Sequence, residues 1–124
     1  IDNRTWAEHI GETSGYLYHT KKGRIPGAIY GFSGESGTGS MSYYRNIDNT
    51  MRNASEIQRL WKDAGIGTQH HLSFMCGSGW RAAEVMTYAQ VMGLKDVSLY
   101  SDGWIGWSND PANPIETGVP MKSQ

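Results

Sequence analysis

One cysteine stands among 124 residues, so no disulfide can close within the chain, and no apolar run approaches the roughly 20 residues that span a bilayer. A surplus of either charge is missing too. Lys and Arg number 11 against 12 Asp and Glu and are scattered, giving a formal charge of −1 that predicts no partner among nucleic acids or anionic membrane surfaces. Metal-ligand spacings are also missing: there is no CxxC or HxxxH, and the adjacent His70 and His71 would point to opposite faces of a strand. No metal and no cofactor is therefore expected. Five tryptophans without a basic stripe read as core and edge packing, with Trp80 as the exception.

What the chain does have is a glycine-rich turn that opens on its lone thiol, Cys76-Gly77-Ser78-Gly79-Trp80-Arg81, set between a strand-like apolar segment and an Ala-rich helical one. A thiol there faces several backbone N–H groups and the positive end of the next helix, and both favour the thiolate. Gly77 and Gly79 keep side chains away from the sulfur, and Arg81 adds a fixed positive charge. Cys76 is the candidate nucleophile.

The length fits a single domain over residues 1–124 that can bury a core unaided. The start at Ile1-Asp2, without Met, predicts a piece of a longer protein. Thr5 and Glu8 have capping-box spacing and predict a short helix from about Trp6, after the end of a truncated strand. Residues 11–24 read as polar loop, Ala28-Ile29-Tyr30 as a short buried strand, and Gly31 to Ser40, with four glycines and three serines, as a mobile surface loop. Ser55 is read as the N-cap of a helix, with Gln58 completing a capping box, Ile57, Leu60, Trp61 and Ala64 on its buried face and Gly65 as its stop.

His71 to Met75 reads as a strand, Ala82 to Met92 as a helix stopped by Gly93, and Val97 to Tyr100 as a second strand. Strands joined by such a helix should lie parallel, which puts Cys76 at the carboxyl end of one, where open α/β sheets place their ligand sites. Beyond Asp102 the expectation is an irregular tail packing aromatics on the domain edge.

The turn Cys76-Gly77-Ser78-Gly79-Trp80-Arg81-Ala82 resembles the active-site loop of the rhodanese (sulfurtransferase) family. Asp2-Asn3-Arg4 with Glu8 resembles the start of that domain, Gly23-Arg24-Ile25-Pro26-Gly27-Ala28 its Gly-His-Ile-Pro-Gly-Ala signature, and Tyr100-Ser101-Asp102-Gly103-Trp104 through Trp107 its Tyr-Asp-Gly-x-Trp segment. The ending Pro114-Ile115-Glu116-Thr117-Gly118 is similar to that of bacterial proteins with such domains in tandem. The resemblance implies a rhodanese-like α/β fold, a central, mostly parallel sheet with helices on both faces. It implies the catalytic C-terminal domain of a tandem protein whose upstream rhodanese-like domains lie in the same chain.

It also implies a chemistry in which Cys76 takes a sulfane sulfur from thiosulfate or 3-mercaptopyruvate as a persulfide and passes it to cyanide or a thiol. Amides from Gly77 to Arg81 would hold the outer sulfur, Ser78 would donate a hydroxyl, Trp80 would wall the pocket, and Arg81 would brace the loop by pairing with a carboxylate such as Glu8. Related phosphatases and arsenate reductases have loops one residue longer, since a ring of amides fitted to one sulfur is too narrow for a tetrahedral phosphate.

Arg24 replaces the family's His, and His9-Ile10-Gly11-Glu12 lacks the Arg pair with which animal tandem enzymes hold the donor's anionic group. Lys21, Lys22 and Arg24 read as a solvated basic patch. Two roles stay open: an enzyme using small donors, or a carrier module loaded by a separate desulfurase and unloaded by a partner protein.

Overall fold

The computed structural model describes residues 1–34 and 41–120. Among them the order is helix α1 (Trp6–Ile10), a 3-10 turn (Ser42–Tyr44), α2 (Ala54–Ala64), strand β1 (Leu72–Phe74), α3 (Trp80–Val91), β2 (Val97–Leu99) and α4 (Gly103–Asn109). β1 and β2 are parallel, in the register Leu72 to Val97, Ser73 to Ser98 and Phe74 to Leu99, and α3 connects them and packs on both. Residues 1–3 continue the sheet, because Asp2 bridges in parallel to Met75 on one side and to Tyr30 on the other. The expected strand at 28–30 is only that bridge at Tyr30, and Ile29 is partly exposed.

α1 begins as its capping box requires, with the Thr5 hydroxyl accepting from the Glu8 amide and Glu8 accepting from the Thr5 amide. α2 corrects the sequence reading at its start. Its N-cap is Asn53, whose side chain accepts from the Glu56 amide at 3.0 Å, while the Ser55 hydroxyl donates to Asn53. Asn53 caps at least as well as Ser55, and starting there puts Glu56 in the first turn, beside the positive helix end. Of the expected buried face, Ile57 and Trp61 pack among Tyr44, Phe74, Ala82, Val85 and Ala89 and Ala64 lies partly buried against them, while Leu60 is half-buried outside this cluster. The indole of Trp61 donates to the Tyr44 hydroxyl at 2.8 Å, so the core's largest side chain leaves no buried N–H unpaired.

Two expectations about loops fail where they can be judged. Gly31, Ser33 and Gly34 are buried, held by Asn3 on the Ser33 hydroxyl and Tyr44 on the Gly31 carbonyl; residues 35–40 lie outside the described residues. Beyond Asp102 the chain forms α4 instead of an irregular tail. Gly103 and Gly106 conceal it, since their helix propensity is poor, but Trp104 and Ser108, four residues apart, are both buried and tertiary packing sustains the turn.

The polar heart of the fold is fully buried. Asp2 accepts from Arg4 Nε at 2.9 Å, Arg4 Nη2 at 2.8 Å and His9 Nδ1 at 2.7 Å, and Arg4 lies 4.8 Å over the Trp104 ring. Burial opposes the Asp2 charge, but the Arg4 guanidinium and the hydrogen bonds from His9 and Arg4 outweigh it and hold the carboxyl well below the usual range. A depressed folded pKa stabilises at every pH above the ordinary aspartate value of about 3.9, and that contribution is lost as pH falls through the folded value. Asp2→Asn should therefore cost about 3–5 kcal/mol in urea unfolding at pH 7, since it strands a buried guanidinium. The gap from wild type should shrink in acid. A gap below about 1 kcal/mol would show that Arg4 finds other partners.

Candidate active site

Cys76 lies just past the carboxyl end of β1 and is 1 % exposed. Its Sγ accepts from the Gly79 amide at 3.1 Å and the Ala82 amide at 3.5 Å. The second contact explains how α3 starts. Gly79 is the N-cap, at φ 104°, and has no side chain to accept the free N–H groups of the first turn. The Cys76 sulfur supplies that acceptor at Ala82, so the helix end and the sulfur satisfy each other. α3 starts at Trp80, two residues earlier than its Ala-rich run suggests, because its cap is the sulfur rather than an adjacent Ser or Asp.

The loop's other edge is fixed by α4. The Trp104 amide donates to the Cys76 carbonyl at 2.8 Å and the Ile105 amide to the Gly77 carbonyl at 3.1 Å. These bonds turn the loop carbonyls onto α4. The approach needs a glycine: a Cβ on Gly103 would lie 2.5 Å from both carbonyl oxygens, at a φ of 60°.

Arg81 points behind the loop. Its Nη1 donates to Glu8 Oε1 at 3.0 Å and its Nη2 to Glu8 Oε2 at 3.3 Å, both side chains almost wholly buried, so the expected brace is the one found. The same Nη2 lies 3.3 Å from the Tyr16 hydroxyl. Burial raises the Tyr16 pKa and Arg81 draws it back in part, leaving a phenol that is neutral at pH 7.

A cavity of about 380 Å³ opens over Cys76, lined by Tyr16, Met41, Arg45, Ser78, Trp80, Arg81 and Glu84. Cys76, Ser78, Trp80 and Arg81 from the sequence-predicted loop thus share it. Gly77 and Gly79 are outside that lining, and Gly77 lies against Tyr16, whose hydroxyl occupies the place of a Gly77 Cβ. Trp80 is 85 % exposed, standing at the mouth. Sequence reasoning missed Tyr16, Met41, Arg45 and Glu84; only the aromatics Tyr16 and Tyr18 within the polar stretch 11–24 hinted at a wall there. The expected solvated patch is also corrected. Arg24 is buried and donates to the Gly118 carbonyl at 2.6 Å and the His9 carbonyl at 3.3 Å, while Lys21 and Lys22 are exposed.

Gly103→Ala should thus distort the loop in a way that backbone strain alone does not. Gly27 has a φ of 83° with nothing near its Cβ direction and serves as the control. Gly103→Ala should cost about 1–3 kcal/mol more than Gly27→Ala in chemical denaturation. Equal costs would mean that the α4 contact does not constrain the loop.

The sequence matches the family described as rhodanese-like domain over residues 1–110. Thiosulfate sulfurtransferase YnjE of Escherichia coli (strain K12) is 49 % identical over 118 residues, 95 % of this chain and 27 % of that protein. The wild-type structure of EanB has a TM-score of 0.91 at 51 % identity, over 96 % of this chain and 27 % of its own. A variant of EanB solved with a cysteine persulfide and ergothioneine has a TM-score of 0.90 at 50 % identity, over 96 % of this chain and 28 % of its own. This chain spans about a quarter of the length of these relatives. With a loop that holds a cysteine sulfur on two amides and a match running through nearly all its elements, the chain belongs to the rhodanese-like domain family.

Proposed function

We propose that this chain is the persulfide-bearing domain of a sulfurtransferase, with Cys76 as its nucleophile. The observation that carries the reading is the pair of amides, Gly79 and Ala82, aimed at Sγ inside an open pocket. With thiosulfate, the Cys76 thiolate attacks the sulfane sulfur, the donor's S–S bond breaks, and sulfite leaves with the electron pair. The product is Cys76 persulfide. An acceptor such as cyanide or a thiolate then attacks the outer sulfur, and the bonding pair returns to Cys76.

Protein groups act here by position and charge. Amides of the turn Gly77 to Arg81 stabilise negative sulfur before and after transfer, the same device as an oxyanion hole. Ser78 offers its hydroxyl to donor or acceptor, Trp80 shapes the entrance, and Arg81 holds the loop through Glu8. Support for the Ser78 role comes from EanB, where structures with hercynine were solved for variants of a threonine placed two residues after the persulfide cysteine. Ser78 is placed likewise after Cys76. The relatives' greater length supports a setting within a longer chain carrying upstream rhodanese-like domains.

A carrier role, with sulfur delivered by a desulfurase and passed to a partner, is the second reading. It is favoured by the exposure of Trp80 at the mouth, where a docking protein would bury it. Steady-state assays separate the two readings: an enzyme turns over thiosulfate or 3-mercaptopyruvate with cyanide or thiols, and a carrier accepts sulfur only from the desulfurase.

Incubation with a sulfur donor should add one sulfur atom to the intact mass, removable by reductant and never acquired by Cys76→Ser. A wild-type chain that stays unmodified with every donor, a desulfurase included, defeats the proposal. Loop size is tested separately. One residue inserted between Gly79 and Trp80 should cut sulfur transfer by roughly 100-fold, as for loss of one such donor, with little change in far-ultraviolet circular dichroism. Hydrolysis of an aryl phosphate by the unaltered chain, with no sulfur transfer, would move it to the phosphatase branch.

A further inference from the structure

The cavity over Cys76 has three charged groups in its lining among the described residues, Arg45, Arg81 and Glu84. Neither cation is unpaired. Arg81 is held by Glu8 behind the loop. Arg45 is held in the wall itself, giving Nε–H to Glu84 Oε2 at 2.8 Å and Nη2–H to Glu84 Oε1, a two-bond fork.

The Glu84 carboxylate is itself fixed, since the Tyr88 hydroxyl donates to Oε2 at 2.6 Å. Burial disfavours its charge, but the bonds from Arg45 and Tyr88 prevail and keep its pKa below the ordinary value, so it is an anion at neutral pH. The side chains of the pair are 33 % and 22 % exposed, part of a wall that is screened less than open surface.

We propose that Glu84 sets the selectivity of this pocket by neutralising Arg45: it disfavours small anionic donors such as thiosulfate and admits substrates that are neutral or zwitterionic. An incoming dianion meets guanidinium groups whose charge is already compensated, and it must compete with Glu84 for the Arg45 fork. A zwitterion brings both signs. Its anionic end can approach Arg45 while its cation lies beside Glu84 and the exposed face of Trp80. The inference rests on Cys76 as the residue that receives sulfur, but its alkylation test does not.

Iodoacetate and iodoacetamide alkylate the same thiol and differ by one negative charge, so the ratio of their rates at Cys76 reads the pocket's charge without sulfur chemistry. Glu84→Gln keeps the side-chain shape and removes the charge. At low salt the iodoacetate to iodoacetamide ratio should rise on the order of tenfold, the rise should fade in 1 M salt, and Glu84→Gln/Arg45→Gln should return it towards wild type. The KM for thiosulfate, read in the same variants, should fall and recover in parallel. An unchanged ratio in Glu84→Gln, or a rise of the same size in the double variant, overturns the proposal. A shifted ratio in a chain that takes up no sulfur from any donor upholds the charge filter and sinks the persulfide reading instead.

Discussion

The buried ion pair between Glu8 and Arg81 is the joint on which the site depends. Glu8 closes the capping box of α1, and its two carboxylate oxygens also accept from Arg81 in the first turn of α3. One carboxylate thereby ties the start of the chain to the helix that follows the cysteine loop. Removing either partner would leave a charge in the interior at a cost of several kcal/mol, a large part of a small domain's total stability. Because the loop is short, fixing Arg81 also fixes Gly79 and Ala82, the two residues whose amides reach the sulfur.

A second constraint is that the loop around Cys76 is held from both sides. Carbonyls of Cys76 and Gly77 are taken by amides of α4, and amides of Gly79 and Ala82 by the sulfur. The loop is pre-organised as a result, with donors already directed at the place where negative sulfur develops. The Asp2, Arg4 and His9 network supports the same arrangement from below, since Asp2 bridges to Met75, the residue before the cysteine. Charge in this molecule is compensated where it is buried, and the pocket inherits that balance.

The loop and its cysteine were legible in the sequence because local chemistry marks them, a thiol, two glycines and an Arg at fixed spacing, and the capping box of α1 because a Thr and a Glu stand three residues apart; the pairing of Glu8 with Arg81, 73 residues away, came from the family resemblance. The amphipathic face of α2 and the parallel pairing of β1 with β2 were legible from local pattern too, as periodicity and connection length. What was hidden depends on tertiary partners. α4 contains two glycines and is sustained by burial of Trp104 and Ser108. The start of α3 is set by a sulfur three residues before its own cap, and the cap of α2 went to Asn53 over a nearby Ser55 that also fitted. Tyr16, Arg45 and Glu84 reach the pocket from segments far apart in the chain, and no local pattern marks them.

The central claim is that the loop amides hold a sulfur atom on Cys76. It is tested most directly by a crystal structure of the chain after exposure to a sulfur donor. The account expects one additional atom bonded to Sγ of Cys76, lying in the cavity beside Ser78 and Trp80 and within hydrogen-bond reach of loop N–H groups. An unmodified Cys76 in crystals of a chain whose mass shows added sulfur, or an outer sulfur turned away from the loop amides, would contradict it.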